Sequence, residues 1–203
     1  MGTAVVFSYI RQFGCGAQKK VILGDMSPKL INEDGWNLGL YQGHYTREMF
    51  QTDLEMIRKD YRRFALYLTE QLMFKHEPAQ EREPYGSARR IEDRILSRPH
   101  NPLIRQALFN GMVELPPEKA NAVYDYFETM ASSDFRPVLK DIHVPATIIF
   151  ADPGSGYCRG TAEYIHSQIP GSRLCPMPDC SHMCAAEKAP LFIQYLLEVG
   201  GAE

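Results

Sequence analysis

An α/β fold built on a parallel sheet is expected for this 203-residue chain, on three observations. Short apolar runs near 21–25, 146–152 and 173–177 have the length and apolar character of buried strands. Each of the last two is followed by a stretch with helical periodicity, and another such stretch precedes the first. A strand–helix–strand–helix series demands right-handed crossovers, and those make neighbouring strands parallel.

In chain order, residues 4–13 place Val5, Val6, Tyr9, Ile10 and Phe13 on one helical face, which is expected to be buried, and Gly14 and Gly16 supply a stop. Val21-Ile22-Leu23-Gly24-Asp25, bounded by Lys19-Lys20 and by Pro28, reads as a strand covered on both faces. Phe50, Leu54, Ile57, Tyr61, Phe64, Leu68 and Leu72 recur at three- and four-residue steps, which predicts one long amphipathic helix. Residues 76–102 are rich in Pro, Arg and Glu, and the run at 75–98 is expected to be a solvated face or loop. A second helix is expected from about 118 to 130, introduced by Pro116-Pro117. The strand Ala146-Thr147-Ile148-Ile149-Phe150-Ala151-Asp152 comes next, then a helix at 160–169, a short strand Arg173-Leu174-Cys175-Pro176-Met177, and a last helix near 189–199. Three strands are few for this length, and the leading helix has no strand before it, so the chain is expected to begin within a fold.

Hydrophobic residues make up 44% and charged residues 23%, enough apolar material for a sizeable core and far from a disordered composition. With 22 Lys+Arg against 25 Asp+Glu the net charge is −3 and no dense basic stripe exists, which argues against nucleic acid and for a small-molecule partner. The longest apolar stretches fall far below the roughly 20 residues of a membrane-spanning helix, so no membrane partner is expected. The first residues lack a basic secretory n-region, and position 6 is Val where a myristoylation signal has Ser or Thr. Five cysteines, an odd number with no C-x-x-C pair, make a poor disulfide framework and fit a reducing, cytoplasmic location. Cys180, His182 and Cys184 form C-x-H-x-C, but zinc pairs usually have two to four intervening residues, so neither a metal nor another cofactor is expected.

Met1-Gly2-Thr3-Ala4-Val5-Val6-Phe7-Ser8-Tyr9-Ile10 resembles the stretch that follows the nucleophile in α/β-hydrolases, where G-x-S-x-G turns a strand into a helix. Met1-Gly2 would be the last two positions of that motif. The resemblance extends along nearly the whole chain. Leu23-Gly24-Asp25-Met26-Ser27-Pro28 is similar to the next strand end, and Val144 to Phe150, Ala162 to Ile165, Ile169-Pro170-Gly171, Pro178 to His182 and Glu187 to Pro190 follow in the family's order. It implies the C-terminal part of a parallel hydrolase sheet, with about three strands and flanking helices, plus an inserted helical cap. The divisions would be core at 1–30, cap or lid at 31–138, and core at 139–203.

On this resemblance the nucleophile belongs immediately before Met1. The backbone nitrogen of Met1 would be an oxyanion donor, and His182, in the loop after the last strand, would be the catalytic base. The acid precedes the histidine in such sites, and Asp25 and Asp152 both stand at carboxyl ends of predicted strands. Family members usually carry the acid in a loop position that Ser155 occupies here, which favours Asp25, one strand earlier, over Asp152. Trp36 is a candidate for lining a pocket under the cap. The implied activity is hydrolysis of a small ester or related substrate, with the identity of the nucleophile deciding between ester and epoxide or haloalkane chemistry. The alternative is a non-catalytic ligand-binding or regulatory protein derived from the hydrolase fold. A strand edge left unpaired would promote self-association.

Overall fold

The computed structural model describes residues 2–73 and 109–201, together with residues 92 and 106. Met1 and the run at 75–98, apart from residue 92, lie outside the described residues.

Helix α1, Gly2–Phe13, leads into strand β1, Val21–Gly24. Gly14 takes φ +72° while its amide still reaches Ile10 O at 2.8 Å, a left-handed stop that a residue with Cβ adopts only at a cost. Two helices follow, α2 at Arg47–Lys59 and α3 at Tyr61–Met73. After a π-helical turn at Phe109–Val113 comes α4 at Pro117–Ser132. Strand β2 at Ala146–Asp152, helix α5 at Arg159–Gln168, strand β3 at Arg173–Pro178 and helix α6 at Ala189–Gly200 complete the order.

The sheet has the order β1-β2-β3, and both pairs are parallel, with Val21 opposite Ala146 and Thr147 opposite Arg173. Central β2 is buried along nearly its whole length, as its continuous apolar run requires. Its alternation splits the core in two. Ile148 and Phe150 join Leu23 and the α1 residues Phe7 and Ile10 on one face, while Ile149 and Ala151 join Cys175 and Met177 under α6 on the other.

Two expectations need correction. The apolar periodicity from Phe50 to Leu72 belongs to two helices packed on each other, not one. Asp60 leaves helical space at φ −156°, ψ 78°, and its carboxylate accepts the Arg63 amide at 3.1 Å, so it caps the second helix where the first ends. The buried face of α1 also differs: Thr3, Ala4, Phe7 and Ile10 face inward, whereas Val5 is 60% and Phe13 70% exposed. The helix is apolar on more than one side, so periodicity alone cannot select the side that meets the sheet.

Candidate active site

Asp25 is the first residue past β1, at the carboxyl end of the sheet. Its amide continues the strand ladder by donating to Ile149 O at 2.7 Å, and its backbone then turns to φ +30°, an uncommon conformation for a side chain with Cβ. That turn directs the carboxylate across the neighbouring strand end. Oδ1 accepts the Ala151 amide at 3.1 Å, and Oδ2 lies 2.7 Å from His182 Nδ1. Asp25 is buried, and these donors replace water around its charge.

His182 lies between β3 and a short helical turn at Cys184–Glu187. Its amide donates to Leu72 O at 3.1 Å and to Ser155 Oγ at 3.0 Å, and the Ser155 hydroxyl in turn donates to Leu72 O. The loop is held from its other side by Glu187. Oε2 of that residue accepts the Ser181 amide at 3.2 Å, Oε1 accepts the Ser181 hydroxyl, and Ser181 Oγ accepts the Met183 amide at 3.1 Å. Tyr157 stands edge-on to the imidazole with ring centroids 6.0 Å apart. Burial, reinforced by the Asp25 charge, pushes its phenol far above the ordinary range, so it stays protonated.

The candidates from the sequence therefore part company. Asp25 and His182 meet; Asp152 does not join them, because its carboxylate pairs with Arg159 and its carbonyl accepts the Asp179 amide at 2.8 Å. Trp36 is buried elsewhere. Its indole donates to Lys29 O at 3.0 Å and its ring packs edge-on against Tyr164 beneath the Arg136 guanidinium. Sequence reasoning missed Ser155 and Glu187 as supports of the histidine loop. Ser155 was conspicuous only as a departure from an expected acid, and nothing local marks Glu187. Cys180 donates its thiol to Met177 O at 3.0 Å, and the hydrogen bond with Cys180 together with burial pushes the Cys184 thiol well up. Among the described residues no group of three or more His, Cys, Asp or Glu is arranged to hold a metal ion.

His182 also borders a cavity of about 440 Å³. Leu72, Leu68 and Phe64 of α3 line it together with Phe127 and Met130 of α4, Met26 and Tyr157. With Nδ1 engaged by Asp25, Nε2 is the ring nitrogen left to take or give a proton.

No protein-family model matches this sequence, and no curated protein does either. Solved structures do. An esterase from Exiguobacterium antarcticum aligns with a TM-score of 0.74 at 17% identity, over 97% of this chain and 62% of its own. A bromoperoxidase from Bacillus anthracis gives 0.72 at 19% identity, over 97% and 63%, and a hydrolase from Oleispira antarctica gives 0.73 at 17%, over 100% and 63%. The chain has the α/β-hydrolase fold. It spans less than two thirds of the length of these relatives.

Proposed function

We propose that this chain carries the acid–base part of a hydrolase site for a small ester or related substrate. Asp25 orients His182, and the nucleophile comes from polypeptide outside residues 1–203, at the position preceding Met1. The contact of 2.7 Å between Asp25 Oδ2 and His182 Nδ1 carries this reading, since it joins a buried carboxylate to a histidine that borders a cavity. With a hydroxyl nucleophile, Nε2 takes the hydroxyl proton as oxygen attacks the carbonyl carbon, then returns it to the departing alcohol. Asp25 stabilises the imidazolium without itself taking the proton. Water then repeats the sequence on the covalent intermediate. The Met1 nitrogen would face the oxyanion, and residues 31–138 would cover the site as a cap.

Activity against a short activated ester tests this reading. Residues 1–203 alone should show no turnover above buffer, and a form extended upstream through an elbow nucleophile should show it. In that extended form His182→Ala should lower kcat by about 10³-fold or more, and Asp25→Asn should cost far more than Asp152→Asn. An extended form whose turnover survives His182→Ala, with folding intact by circular dichroism, would refute the acid–base assignment; a folded extended form without turnover would favour the non-catalytic binding protein.

A further inference from the structure

Gln42, on the segment after β1, has an unusual backbone. It and Tyr41 take φ +58° and +59°, a left-handed conformation that two successive residues with Cβ keep only when their surroundings hold them. Tyr41 is fully buried, and its ring stands edge-on to Tyr45 with centroids 5.3 Å apart. Both donor groups of Gln42 then reach one loop, residues 153–157 between β2 and α5. Its amide donates to Gly156 O at 3.0 Å, and its carboxamide nitrogen donates to Pro153 O at 3.1 Å and to Gly154 O and Tyr157 O, each at 3.2 Å. All of these partners are carbonyl oxygens, so only the nitrogen of the carboxamide fits toward the loop.

That loop meets the site at three points. Ser155 Oγ accepts the His182 amide, Tyr157 stands edge-on to the imidazole, and a Cβ on Gly156 would lie 3.8 Å from His182 Nδ1. From this chain of contacts we infer that Gln42 is a positioning residue of the site. It holds the 153–157 loop against His182, which fixes the imidazole and keeps water from the contact between Nδ1 and Asp25 Oδ2. Hydrogen bonds to a charged group are stronger where water is excluded, so the orientation of His182 depends on the loop staying in place. The effect on turnover rests on the hydrolase reading, but the shielded Nδ1 proton is observable without turnover.

Gln42→Asn tests this, because Asn adopts a left-handed φ more readily than Gln while its amide falls one methylene short of the loop carbonyls. Proton NMR of residues 1–203 should show a downfield Nδ1–H signal, identified by its loss in His182→Ala. In Gln42→Asn, folded by circular dichroism, that proton should exchange with water about tenfold faster. If this variant does not fold, Gln42→Met, similar in length but without donors, should give the same result. In the form extended through an elbow nucleophile, either substitution should lower kcat by about tenfold and change KM by less than about twofold. Unchanged exchange in a folded variant would overturn the inference and leave the acid–base reading standing. A wild-type chain without the signal would overturn both, since the Asp25 contact would then not be formed.

Discussion

At the scale of single residues, the site depends on side chains whose partners are far away in sequence. Ser155 is the clearest case. It occupies the position where a relative's acid was expected, and its hydroxyl instead ties the backbone of His182 to that of Leu72. Ser155→Ala leaves the direct bond from the His182 amide to Leu72 O but removes the hydroxyl that reinforces it. The variant should lose about 1–2 kcal/mol of stability in a thermal or urea melt, and the His182 ring resonances should broaden as the loop gains freedom. Unchanged resonances would show that Glu187 and the direct bond from the His182 amide to Leu72 O suffice to fix the loop. A second residue-scale effect concerns pH. Burial by itself would raise the Asp134 carboxyl, but hydrogen bonds from the Arg136 side chain and amide outweigh it and hold the group below its ordinary value. A depressed carboxylate contributes stability above its unfolded pKa, and that contribution disappears as pH falls through the folded value. Arg136→Ala should therefore cost about 0.5–1 kcal/mol at neutral pH, and less as the pH falls below the carboxylate range, as urea midpoints measured across that range would show.

At the scale of elements, the segment after β1 is shaped by backbone contacts that leave no room for side chains. Asn32 acts as its hub, accepting the Gly39 amide at 2.8 Å and donating to Tyr45 O at 3.0 Å. A Cβ on Gly39 would lie 2.2 Å from Leu30 O, a backbone atom that cannot step aside. Gly39→Ala should thus destabilise the protein by about 3 kcal/mol, read as a lowered urea midpoint with unchanged slope. A neutral result would mean that this loop relaxes independently of the sheet. Asp60 works in the opposite direction, since it permits a break between α2 and α3 without leaving the Arg63 amide unsatisfied. The break lets the second helix turn Phe64, Leu68 and Leu72 toward the cavity beside His182 while Phe50, Leu54 and Ile57 pack into the core.

For the whole molecule, the distribution of apolar surface is uneven. Among the described residues no strand pairs with the outer edge of β1. Thr3 Oγ1 already serves both outward groups of Gly24, accepting its amide at 2.9 Å and donating to its carbonyl at 3.0 Å, so that edge is short. Exposed apolar side chains lie on the helices of both layers: Val5, Tyr9 and Phe13 on α1, Ile193 and Leu197 on α6. Surfaces of this kind drive association with another copy. Residues 1–203 should elute as concentration-dependent oligomers in size-exclusion chromatography with light scattering, and Val5→Glu combined with Phe13→Glu should shift them toward monomer. A wild-type monomer at all concentrations would exclude this behaviour.

The strands at 21–24, 146–152 and 173–178 and the helices that alternate with them were legible in the sequence because apolar period and length are local properties. The pairing of residues at strand ends was only partly legible. Asp25 and Asp152 look alike in sequence, each closing an apolar run, and a parallel sheet brings both to the same edge. Which of them meets His182 depends on a positive-φ turn after β1 and on an arginine seven residues beyond β2 that draws the other away. The buried face of α1, the break at Asp60 and the remote burial of Trp36 were likewise set by tertiary structure. In each case the local pattern allows more than one orientation, and only contact between elements distant in sequence makes one of them lower in free energy.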